Sequence, residues 1–161
     1  MHNSPRWLAV AAATFVLTAC NPFHRDPVTE VTPDANANAR WRAALVTPAA
    51  LVGAVQMNGS ATMQPGQNGE STDFSLNIDN ATPGGRHPWQ VHRGQCGADE
   101  GVVGSPEAYK AIKVGDEGRG KGTATVAMMT PTTGNYFVTV SASAANPETV
   151  VACGNLAPPT S

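Results

Sequence analysis

Charge is scarce in this sequence. Asp, Glu, Lys and Arg make up only 14% of 161 residues, and the net charge is −2. A nucleic-acid partner needs a basic face, so that class is excluded. Histidine is scarcer still: it occurs at 2, 24, 87 and 92, and nowhere between Arg93 and Ser161. The sequence has no phosphate loop ending in Gly-Lys-Ser/Thr, no Cys-x-x-Cys and no His-Glu-x-x-His, which removes the chemistries those motifs carry. No motif singles out a serine for a Ser/His/Asp arrangement. The longest apolar run, Trp7 to Ala19, is too short to span a bilayer comfortably. Glycine and proline are plentiful, at 16 and 13, and point to many turns rather than long helices. The length suffices for one domain with its own core.

The run "WLAVAAATFVLTA" follows the short polar start "MHNSPR", as in the core of a signal peptide. It ends in "LTAC", Leu17 to Cys20, which resembles the lipobox of bacterial lipoproteins. That resemblance implies removal of residues 1–19, acylation of Cys20 and a lipid anchor in the membrane. Asn21 does not look like an inner-membrane retention signal, so the expected place is the outer membrane, facing the periplasm. Lipid on Cys20 would leave Cys96 and Cys153 in an oxidising compartment, where a disulfide is expected over two free buried thiols. Residues 20–39 are rich in Pro, Asn, Asp and Ala and show no apolar period. They read as a flexible tether reaching about 25 Å, with His24 a solvated residue on it.

Beyond the tether, apolar residues recur with period two. Trp41, Ala43 and Leu45 share a face, as do Val55, Met57, Ala61 and Met63, then Phe74, Leu76 and Ile78, then Tyr136, Val138, Val140 and Ala142. Alternation of this kind marks strands with one buried and one wet face. The stretches between them, "QPGQNGE", "NATPGG", "VGDEGRGKG" and "TPTTG", are turn-like. About eight strands are expected, in an all-β antiparallel Greek-key barrel or sandwich over residues 40–157, with a tail at 158–161. Pro48 would interrupt any helix in "AALVTPAALVGA". Met57, Met63, Met128 and Met129 read as core filling. The segment from Gln95 to Gly118 is the main irregular loop, with Asp99 and Glu100 a solvated acidic pair and Cys96 pinning its start to the C-terminal strand.

The densest chemistry lies in "HPWQVHRGQCG", His87 to Gly97. Together with "GVVGSPEAY", "VGDEGRGKGTATV" and "VVACGNL", it resembles the copper/zinc superoxide dismutases, and more nearly their small exported bacterial relatives. The likeness covers about residues 40 to 157. It implies an eight-stranded Greek-key barrel with a disulfide between Cys96 and Cys153.

The resemblance carries the scaffold and not the metal ligands. Where the family has a His-x-His pair for copper, this chain reads Gln90-Val91-His92. Residues i and i+2 on a strand share a face, which is how two imidazoles would converge on one ion. Ser141 stands at a further copper histidine, and Val150 at the catalytic arginine. The bridging imidazole and the zinc histidines have no counterpart. A redox copper needs several fixed imidazoles, so no cofactor and no catalysis are expected. His87 lies five residues before His92, an odd spacing that puts the two on opposite faces of a continuous strand. A bend at Pro88 would let His87, His92 and Gln90 share one weakly held copper, and that is the alternative reading. On the main reading Trp89 and Val91 point inward, while Gln90 and His92 point outward against the loop. The expected function is then a non-catalytic binding or structural module, with an envelope protein as its partner.

Overall fold

The computed structural model describes residues 40–159. The leader, Cys20, His24, the tether up to residue 39 and the last two residues of the tail lie outside the described residues.

Ten strands follow one another: β1 (Trp41–Val46), β2 (Asn58–Pro65), β3 (Thr72–Asp79), β4 (Arg86–His87), β5 (Trp89–Gln95), β6 (Ala98–Val102), β7 (Ile112–Lys113), β8 (Gly120–Val126), β9 (Tyr136–Ser143) and β10 (Asn146–Leu156). Two single turns of 3-10 helix, Ala49–Leu51 and Pro106–Ala108, are the only helical residues among those described. Eight strands form one curled antiparallel sheet in the order β6-β5-β9-β10-β1-β2-β3-β8, and β4 pairs with β7 as a separate ribbon. The chain is thus all-β and barrel-like, as the alternation predicts. It has two strands more than expected, because the β4–β7 ribbon is too short to show a period.

The alternation translates directly into burial. Trp41, Ala43 and Leu45 face the core while Arg42, Ala44 and Val46 do not. Phe74, Leu76 and Ile78 do the same on β3. Trp41 meets Tyr136 edge-on at 5.6 Å between ring centres and donates its indole N–H to the Pro131 carbonyl at 3.0 Å. An indole needs such a partner when it is buried. The methionines divide. Met57 and Met63 are buried and Met128 packs against the core, but Met129 is 75% exposed, contrary to the expectation that all four fill the interior. Both follow the end of β8, in the bend after Val126, and only the first of the two packs against the core.

The segment from Gln95 to Gly118 is less irregular than its composition suggests. It opens as a tight hairpin, with Gln95 opposite Ala98 and Gly94 opposite Asp99. It then carries the Pro106–Ala108 turn and β7, whose end bridges to β8 through Val114 and Gly120. The sequence hid β6 because "ADEGV" does not alternate. Glycine makes the hairpin: Gly94 has φ +100°, and a Cβ there would collide with the Ala98 carbonyl.

Cys96 sits in the turn of this hairpin and is bonded to Cys153 on β10, with Cα atoms 6.1 Å apart. The Cys96 backbone N–H also donates to Asn155 Oδ1 at 2.8 Å. Since β9 lies between β5 and β10, both links draw the turn across the outer face of β9.

Candidate functional site

Register decides which side chains share that outer face. Strand β5 pairs with β9, His92 opposite Phe137 and Gln90 opposite Thr139. Strand β9 pairs with β10, Thr139 opposite Cys153 and Phe137 opposite Asn155. Side chains directly opposite one another lie on the same side of a sheet. Gln90 and His92 therefore stand beside Phe137, Thr139 and Cys153, while Trp89 and Val91 enter the core. On this face the β5–β6 hairpin, the turn after β1 and the start of β10 enclose an open cleft of about 1440 Å³. The positions matched by the resemblance, Gln90, His92, Ser141 and Val150, all line it.

His92 is outward-facing but only 8% exposed, because hairpin and neighbour cover it. Its ring stacks on Phe137 at 5.0 Å between centres. Nδ1 lies 3.0 Å from Asp99 Oδ1, and Nε2 lies 3.2 Å from Thr139 Oγ1. A carboxylate only accepts, so in the neutral ring Nδ1 carries the proton and Nε2 accepts from the threonine hydroxyl. Both nitrogens are thereby engaged. Asp99 Oδ1 also accepts from the Gly101 backbone N–H at 2.7 Å. The acidic pair is thus not simply solvated: Asp99 orients His92, and the signal for it was the hairpin return seven residues on.

The Gly101 amide, followed by the His92 hydrogen bond, holds the Asp99 carboxyl below its ordinary 3.8. A depressed folded value means a contribution present above pH 3.8 and lost as pH falls through the folded value. The side chain is 54% exposed, so solvent limits the contribution to less than about 1 kcal/mol. Urea midpoints for the wild type and Asp99→Asn will accordingly differ at pH 5, and the difference will shrink as the pH is lowered below 3.8. A gap that persists at the lower pH would contradict the assignment.

His87 is buried in the β4–β7 ribbon, opposite Ile112. Its Nδ1 lies 3.0 Å from the Ser141 carbonyl, and its Nε2 has no partner. It is not part of the cleft lining, so the break at Pro88 does not bring it beside His92 there. The Ser141 hydroxyl donates to the Pro147 carbonyl at 2.8 Å.

Copper and zinc, which the resemblance implies, can be tested against this donor set. The lone pair a metal would take from His92 Nε2 is occupied by Thr139, the neighbour at i−2 is an amide, and the Ser141 hydroxyl is committed to a carbonyl. Among the described residues no three His, Cys, Asp or Glu side chains are grouped to hold an ion. The residues present do not fit a dismutase centre. The order Asp99, His92, Thr139 matches the carboxylate–imidazole–hydroxyl order of a nucleophilic triad. Thr139, however, is nearly covered, and little of its hydroxyl is open to a substrate carbonyl. The three groups work as a clasp between β9, β5 and β6. No family model matches the chain, and no curated protein matches it at a significant level.

Proposed function

We propose that this chain is an envelope lipoprotein, anchored through Cys20 in the outer membrane, whose superoxide-dismutase-like barrel serves as a non-catalytic binding module. The lipobox-like "LTAC" supports the anchor, and the quoted segments of residues 40–157 support the family resemblance. The observation that carries the functional reading is the saturation of His92 between Asp99 and Thr139, with Gln90 and Ser141 at the neighbouring positions. A cleft built in this way offers a surface rather than a metal cage. Its partner is another protein of the envelope.

Elemental analysis of the purified, oxidised chain after exposure to copper and zinc tests this. Less than about 0.1 equivalent of tightly held metal and no superoxide consumption above buffer are expected, since the ligand set lacks the imidazoles both would need. One firmly bound copper per chain, lost in His92→Ala and accompanied by turnover, would replace this reading with a residual dismutase or copper-handling protein.

A further inference from the structure

The cleft has a one-sided chemistry. Among the described residues three large apolar side chains are conspicuously exposed, and two of them, Val46 at 60% and Val52 at 68%, line this one cleft. Exposed apolar side chains are suited to meet an apolar partner, and here two share one cleft. The charged side chains in the lining are Asp99 and Glu148, and no lysine or arginine lines it. Glu148 is exposed and has no ion-pair partner among the described residues. Asp99 spends one oxygen on His92 and Gly101, and a carboxylate has acceptor sites to spare.

The backbone sets how an occupant would be held. The strands beneath the cleft, β5, β9, β10 and β1, are interior to the sheet order, and only the first residues of β10, Asn146–Val150, run past their pairing with β1 at Val46 and Cys153. Pro48, Pro88, Pro106 and Pro147 contribute to the lining and bring no N–H. Specificity must therefore run through side chains. The volume of about 1440 Å³ exceeds the usual range of a small-molecule pocket and suits several residues of peptide.

We infer that the cleft receives a peptide segment of a partner protein in which a lysine or arginine is flanked by aliphatic residues. The aliphatic side chains lie against Val46 and Val52, and the cation sits between the Asp99 and Glu148 walls. This rests on the binding-module reading above and gives its partner a chemistry.

The test uses the full chain with its disulfide formed and fluorescent peptides of sequence Leu-Val-Lys-Val-Leu, Leu-Val-Glu-Val-Leu and Ser-Ser-Lys-Ser-Ser, followed by anisotropy. The first should bind at least about tenfold more tightly than either of the others, since one loses the charge match and the other the apolar contact. Glu148→Gln should weaken the first about threefold and Val52→Asn about tenfold, both with an unchanged thermal midpoint because both side chains are exposed. Equal binding of the lysine and glutamate peptides, no binding of any, or insensitivity to Val52→Asn would overturn the inference. So would a homodimer that Val52→Asn dissociates while no peptide binds, which would make the occupant a second copy. If no peptide binds and the chain is also free of metal and inactive, only this inference fails. If firm copper and turnover appear, the binding-module reading fails first.

Discussion

Replacing Cys96 and Cys153 together by serine lowers the stability of the domain by about 4 kcal/mol. The bond closes a loop across a sequence separation of 57, and opening it restores that loop's freedom to the unfolded chain. The thermal midpoint falls by roughly 10–20 °C for a domain of this size. Because much of the effect lies in the unfolded state, the denaturant slope of the variant also rises as its unfolded chain expands. The Cys96 N–H bond to Asn155 survives the substitution and keeps the turn on β9 in the native state. The protein therefore folds, at reduced stability, with His92 still covered. Urea melts of the oxidised wild type and the double variant read this directly. A loss under about 1 kcal/mol would mean that the long connection is already restrained without the bond, and the entropic account would be wrong.

The second large effect is at Trp89. This side chain is 2% exposed and fastens the other end of the same excursion. Its ring meets Tyr109 edge-on at 5.1 Å, its N–H donates to the Lys110 carbonyl at 2.9 Å, and Gly122 on β8 leaves the room it occupies. Trp89→Ala removes all of this and leaves a cavity, for a cost of about 3–5 kcal/mol. Trp89→Phe keeps an aromatic body but leaves the Lys110 carbonyl unpaired, for about 1–3 kcal/mol. The position of the cost is also predicted. Tyr109 and Pro106 line the cleft, so trypsin should cut Trp89→Ala first beside Lys110 or Lys113, well before the rest of the sheet opens. Cleavage spread evenly over the domain would show that Trp89 supports the whole core rather than this wall.

Much of the fold was legible because period-two alternation has one stable outcome when one face must be dry. That rule alone puts Trp41, Ala43, Leu45, Phe74, Leu76 and Ile78 inside, and all are buried. The Cys96–Cys153 pairing followed from an odd cysteine count once Cys20 was set aside, and the two are bonded. Strand β6 was not legible, since its Ala, Asp, Glu and Gly carry no period and only positive-φ glycines at 94, 97 and 101 make its turn and bulge. The exposure of Met129 is not legible in the sequence, because hydrophobicity by itself says nothing about which of two adjacent side chains faces in.

The sequence by itself determined an all-β chain with a pinned connection and a shortage of imidazole. Those are properties of composition and spacing along the chain, which period, turn residues and counting can read. Only the tertiary structure decided that His92 is clasped between Asp99 and Thr139 and that His87 lies away from it. It also gathered Val46, Val52 and Glu148 on one cleft. These neighbours come from the end of β1 and the turn after it, from β5 and the hairpin that follows it, and from β9 and β10, far apart in the chain. Their meeting is fixed by strand order and register, and a one-residue slip of β5 against β9 would turn His92 to the face opposite Thr139.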